Sequence, residues 1–209
     1  VFFSATTEAS KKFIPAAIRA GATVIDDSSV YRLDSAVPLI VPEVNPQVLR
    51  GFDGRIISIP NCTVTPLVMA LKPLLDSYGL KRVVVSTYQS VSGAGKAAYE
   101  ELTHQTAMLM NGQPDEPSVF PHRIAFNCLP QIGSETENGN TEEEEKVVRE
   151  TRKILDLPQL KISATAVRVH TRRCPRGHAP RPPPTERAGC AAPAGAPPPV
   201  PSPAARRCP

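Results

Sequence analysis

The chain has 209 residues, room for one or two domains, and its 41% hydrophobic content is ordinary for a soluble globular protein. No apolar run approaches the ~18 residues needed to cross a bilayer, and no basic-then-apolar leader marks secretion. The formal charge of +4 does not describe the whole chain: residues 170–209 hold seven Arg and one Glu and supply +6, which leaves residues 1–169 at −2 and argues against a basic, nucleic-acid-binding body. In chain order, residues 1–5 read as the end of a strand, with no initiator Met, as expected of a truncated start. Residues 8–19 have helical spacing at Phe13, Ile14, Ala17 and Ile18, with Gly21 placed to cap the end. Strands are expected over 22–26, 38–44 and 55–59. An amphipathic helix follows over 63–78, with Leu67, Val68, Leu71, Leu74 and Leu75 on one face and Gly79 at its end. A strand over 81–87, a helix over 95–110, a helix over 142–155 and a β-branched strand over 161–169 complete an α/β pattern without internal repeats.

The composition changes after Val169. From His170 onward there is no Leu, Ile, Phe, Tyr, Met or Lys, and 12 of the chain's 24 prolines are concentrated there. Such a segment cannot bury enough apolar surface to offset its ordering entropy, so residues 170–209 are expected to be a disordered Pro/Arg/Ala-rich tail. Its mixture of Pro, Arg, Ala, Gly and Cys is what a GC-rich coding strand yields in the wrong frame, so a frameshift near codon 170 is the expectation. A genuine Pro-rich linker or polyproline ligand is the alternative. The five cysteines form no CxxC pair, and neither a metal site nor a disulfide framework is expected.

The segment Ser58-Ile59-Pro60-Asn61-Cys62-Thr63 carries the most chemistry. A strand ends, Pro60 stiffens a turn, and Cys62 falls at the mouth of the next helix. Free N–H groups and the helix dipole favour an anion there, as a nucleophilic thiol or an oxyanion requires. A small buried cysteine is the bland reading, and it is the one retained for Cys128, which has no such context.

Pro60-Asn61-Cys62-Thr63 resembles the active-site loop of the aspartate-semialdehyde dehydrogenases. Four further blocks fall in that family's order: Val24-Ile25-Asp26-Asp27-Ser28-Ser29-Val30-Tyr31-Arg32, Val41-Pro42-Glu43-Val44-Asn45-Pro46, Val85-Ser86-Thr87-Tyr88-Gln89-Ser90-Val91-Ser92-Gly93-Ala94-Gly95 and Ile162-Ser163-Ala164-Thr165-Ala166-Val167-Arg168-Val169. The resemblance implies a remnant of a Rossmann-like NADP-binding domain over 1–50, a partial α+β catalytic and dimerisation domain over 51–169, then the tail. It implies an NADP-dependent, phosphorylating aldehyde oxidoreductase. The reaction converts L-aspartate 4-semialdehyde and inorganic phosphate reversibly to 4-aspartyl phosphate through a cysteine thioester, and it serves lysine, threonine and methionine biosynthesis. By the same resemblance Cys62 is the nucleophile and Gln89 orients the substrate. Glu143 and Arg168 bind the substrate's amine and carboxylate. Arg32, Asn61 and Lys146 contact phosphate, and Ser4, Ala5, Ser92 and Gly93 lie against the cofactor. A homodimer or homotetramer, in the cytoplasm, is implied for the intact family member.

Departures from the family pattern are equally specific. The Gly-rich phosphate cradle has no counterpart here, and Pro175 stands where the family has its general-base His, with His170 and His178 out of register. The chain itself is therefore expected to show little or no turnover. Two other readings stay open. One is an N-acetyl-glutamyl-phosphate reductase, whose cysteine loop carries Gly-Cys where this chain has Asn61-Cys62. The other is a non-catalytic dimerisation or interaction remnant whose tail binds a partner.

Overall fold

The structure, a computed structural model, describes residues 1–171. The expected tail disorder and frame change, Pro175 and His178 lie outside the described residues.

Two three-stranded sheets organise the described residues. In the first, β1 (Phe2–Phe3), β2 (Val24–Asp26) and β3 (Ile56–Ser58) run parallel in that order. Helix α1 (Thr7–Arg19) crosses from β1 to β2. The Thr6 side chain caps it by accepting from the Ala9 N–H at 3.3 Å, and Ile14 is its buried anchor. Gly21, at φ +83°, ends it in a conformation that side chains disfavour.

Residues 38–44 are not a strand, contrary to expectation. A single parallel bridge joins Leu39 to Ser58. Beyond it the Asn45 side chain accepts from the Val41 N–H at 2.9 Å and donates to the Leu39 carbonyl at 2.9 Å. That local bonding replaces the ladder and turns the chain into a short 3₁₀ helix, Pro46–Leu49.

The second sheet has the order β4-β6-β5. β4 (Arg82–Ser90) and β6 (Lys161–Val169) pair in parallel along their full nine-residue lengths, and β5 (Cys128–Leu129) adds antiparallel to β6. Pairing with β6 carries β4 three residues past the expected end at 87. Helices α2 (Val64–Tyr78) and α4 (Glu142–Leu155) cover one face of this sheet, and α3 (Lys96–Met110) follows β4. Thr141 and Glu144 form a reciprocal capping box at the start of α4.

The core lies between these helices and the sheet. Val64, Val68 and Leu71 of α2 and Val147, Ile154 and Leu155 of α4 meet Val83, with Val85, Ile162 and Ala164 packed alongside. Val84 and Tyr88, on the opposite face of β4, are 66% and 75% exposed. Among the described residues no helix is long and apolar enough to cross a membrane.

Candidate active site

β3 ends at Ser58, and four residues later the chain reaches Cys62 in the turn before α2. Asn61 shapes that turn. Its Oδ1 accepts from the Thr63 N–H at 2.8 Å and the Thr63 hydroxyl at 2.6 Å, and its carbonyl accepts from the N–H groups of Val64 and Thr65. Asn61 thus satisfies donors at the mouth of α2 that the helix itself cannot, and Cys62 is left exposed.

The opposite wall comes from the second sheet. Gln89 of β4 and Arg168 of β6 are register partners and so project from the same face, the one that carries the core further down the strands. At this end the core opens into a cavity of about 610 Å³, lined by Cys62, Gln89, Ser92, Gly93 and Arg168 together with Thr87, Tyr88 and Thr171. Arg168 is buried, and its Nη1 donates to the Ser90 carbonyl at 2.8 Å. Burial lowers its pKa from the usual guanidinium range, and the neighbouring Glu143 and Cys62 oppose that shift. A guanidinium held this way beside a thiol can grip a carboxylate while the sulfur meets a carbonyl on the same small molecule.

Behind the cavity, α4 supplies the polar support. The four consecutive glutamates at its start have four different tasks. Glu143 faces the site: its Oε1 accepts from Asn61 Nδ2 at 3.0 Å and Gln89 Nε2 at 3.2 Å. Glu142 accepts from the Ser134 N–H, Glu144 closes the capping box and accepts from the Ala166 N–H, and Glu145 pairs with Arg149. Lys146 lies one turn after Glu143, 3.6 Å from its Oε2 and half-exposed.

The remaining expected residues are not brought into the cavity. Arg32, expected to contact phosphate, is only 8% exposed. Its Nη1 donates to Glu150 at 3.2 Å and its Nη2 to the Asp27 carbonyl at 2.7 Å. Ser4 and Ala5 follow the end of β1, where the Ser4 hydroxyl donates to Asp27 Oδ2 at 3.2 Å. His170 lies tilted against Phe126, with Nδ1 3.0 Å from the Asn127 carbonyl, and among the described residues no histidine lines the cavity. No cluster of His, Cys, Asp or Glu among them is placed to hold a metal ion. Sequence reasoning missed Thr87 and Glu150. Two-residue spacing from Gln89 points to the first, and seven-residue spacing from Glu143 along one helix face points to the second.

A helix-mouth thiol and a buried guanidinium thus line one cavity, and comparison with known families places the chain among enzymes of one kind. The chain belongs to the semialdehyde dehydrogenase family. The family's dimerisation-domain model matches residues 71–178, and its NAD-binding-domain model matches residues 1–52. Among curated relatives, aspartate-semialdehyde dehydrogenase 2 of Vibrio cholerae is 51% identical over 168 residues, covering 80% of this chain and 50% of the relative. The Aquifex aeolicus aspartate-semialdehyde dehydrogenase is 49% identical over 169 residues, with the same coverage. The chain therefore spans about half the length of the curated relatives it matches. A Vibrio cholerae aspartate semialdehyde dehydrogenase II structure superposes with a TM-score of 0.78 at 50% identity, covering 81% of this chain and 51% of that one. The same enzyme solved in complex with ASA gives 0.77 at 49% identity, with the same coverage. An NADP complex from Candida albicans gives 0.57 at 26% identity, covering 81% and 46%.

Proposed function

We propose that this chain carries the thiol and carboxylate-binding groups of an aspartate-semialdehyde dehydrogenase. The observation that carries this reading is the shared cavity of Cys62, Gln89 and Arg168. In the proposed chemistry Arg168 holds the substrate carboxylate, Glu143 receives its ammonium, and Cys62 Sγ bonds to the aldehyde carbon. Gln89, whose two Nε2 hydrogens are committed to Glu143 and Thr87, orients the substrate through its amide oxygen, which is an acceptor. Ser92 and Gly93 would hold NADP at this cavity, where it would supply the hydride acceptor that thioester formation needs. Lys146 and Asn61 steady the phosphate that attacks the thioester carbon, and the sulfur leaves as thiolate.

Ser92 and Gly93 suit the cofactor edge of this cavity. A Cβ at Gly93 would come within 3.0 Å of Arg168 Nη1, so bare backbone is what lets the guanidinium and a flat ring share the space. Ser4 and Ala5 sit at the carboxyl end of a parallel strand, where nucleotides bind in such sheets. We further propose that residues 1–50 belong to the nucleotide domain and 51–169 to the catalytic and dimerisation domain. The exposed β4 face then meets a second copy, in a cytoplasmic homodimer or homotetramer. The cavity holds no histidine to act as base among the described residues, so the chain alone is expected to give little or no phosphate-dependent NADPH formation.

The binding half of this reading can be tested without turnover. L-Aspartate 4-semialdehyde should slow iodoacetate labelling of Cys62 at least ~10-fold and leave Cys128 unaffected, as peptide mass spectrometry reads it. Arg168→Ala should abolish that protection. Protection by N-acetyl-glutamate semialdehyde instead would assign the site to the acetylated substrate, and protection by neither would sink the proposal.

A further inference from the structure

Helix α4 carries three buried carboxylates, and the deepest of them, Glu150, is unused by the chemistry above. Glu150 stands seven residues after Glu143, two turns along the same face, and is 1% exposed. An ionised carboxylate so placed is costly unless its oxygens are occupied. Both are. Oε1 accepts from Arg32 Nη1 at 3.2 Å, and Oε2 accepts from the backbone N–H of Asn61 at 2.7 Å. Burial pushes its pKa up, while Arg32 and the Asn61 N–H oppose the shift.

The second of these bonds reaches the residue immediately before the nucleophile. Asn61 is held at three points: its N–H by Glu150, its Nδ2 by Glu143, and its Oδ1 against Thr63. The Pro60–Asn61 peptide, one residue ahead of Cys62, therefore cannot rotate without breaking a charge-assisted bond to α4. The same helix orients Gln89 through Glu143 and, through Glu144, accepts from the Ala166 N–H two residues before Arg168. One rigid element thus fixes the nucleophile loop from one sheet and the substrate-reading strands from the other.

We propose that Glu150 is a positioning residue, which holds the Asn61 peptide so that the Cys62 thiol stays in register with the Arg168 guanidinium. The inference rests on the reading of Cys62 and Arg168 as a carboxylate-directed thiol site. Were Glu150 only a buried partner for Arg32, its loss would change stability and leave Cys62 selectivity alone.

The full 209-residue chain serves for the test, with Cys128, which lies outside the cavity, as internal control. Rates of labelling by anionic iodoacetate and neutral iodoacetamide are compared at each cysteine by peptide mass spectrometry. In the unmutated chain the iodoacetate preference at Cys62 should exceed that at Cys128 about 10-fold, since Arg168 steers the anion. Glu150→Ala should bring the Cys62 preference down to the Cys128 value. Glu150→Gln, whose amide oxygen can still accept from Asn61, should retain most of it. Preference unchanged in both variants, or lost equally in both, would overturn the proposal. No preference in the unmutated chain would instead sink the functional reading on which it rests. A further measurement needs no variant: the Asn61 amide should exchange with solvent at least ~100-fold more slowly than an unstructured amide, by NMR. Exchange at the unstructured rate would overturn the proposal even if Glu150→Ala failed to fold.

Discussion

Among the described residues, two hydrophobic clusters are stabilised by different means. The larger joins eleven buried residues from α2, α4, the second sheet, the 39–44 loop and Leu160 just before β6. The smaller has three, Val91, Ile124 and Leu129, with Leu102 and Phe120 against them. Where apolar area is large, packing alone can place a segment. Where it is small, irregular backbone needs directional bonds, and α3 supplies them. Gln105, fully buried, accepts from the N–H groups of Ile124 and Ala125 at 2.9 and 3.1 Å. Glu101 accepts from the N–H and hydroxyl of Ser118 and from the Val119 N–H. The Cys62 loop borrows from both schemes: Val64 and Val68 anchor α2 by packing, while Glu143 and Glu150 fix Asn61 by hydrogen bonds.

The largest effect should come from the larger cluster. Ile154 is 3% exposed, and Ile154→Ala should cost about 2–5 kcal/mol, part transfer and part residual cavity. Urea unfolding should show the loss. A cost below ~1 kcal/mol would mean that packing does not dominate there. Gln105→Ala should cost less, about 1–3 kcal/mol, by leaving two buried N–H groups without acceptors. Its distinguishing mark is locality: amide exchange should rise first over 118–125, while β4 and β6 keep their protection. Uniform loosening of the whole chain would erase the contrast between the clusters.

The same contrast explains what could be read from the sequence. Elements built on long apolar periodicity were legible: α2 and α4 begin and end within a residue of their expected bounds, because their core faces repeat at helical spacing. Elements decided by single polar side chains were not. Residues 38–44 carry an apolar, strand-like run at Leu39-Ile40-Val41, yet Asn45 claims the Val41 N–H and the Leu39 carbonyl. At the site, Cys62, Gln89 and Arg168 stood out through their motif blocks and do share a cavity. Glu150 has no motif around it, and its partners lie 89 and 118 residues away in sequence. Arg32 shows the reverse: its block is distinctive, but only the fold reveals that its guanidinium is turned inward to Glu150.

The smallest effect separates carboxylates by the sign of their pH dependence. Glu145 and Glu150 are five residues apart on α4 and start from the same ordinary value, 4.5. Side-chain bonds from Asn138 and Asn140, with help from Arg149, lower Glu145 against a small desolvation. Its contribution to stability is present above pH 4.5 and is lost as pH falls through the lower folded value. Burial raises Glu150 despite Arg32 and the Asn61 N–H. Its folded form binds the proton more readily than the unfolded chain does. The matching contribution is therefore present below pH 4.5 and is lost as pH rises through the higher folded value. Glu145→Gln and Glu150→Gln remove one titration each. On acidification the stability gap between the parent and Glu145→Gln should narrow, while the gap to Glu150→Gln should widen, as chemical denaturation across about pH 4–7 would read. Two gaps that move in the same direction would place both carboxylates in one environment. The tie from α4 to the nucleophile loop would then be a surface contact, and a contact of that kind is too weak to fix the Asn61 peptide.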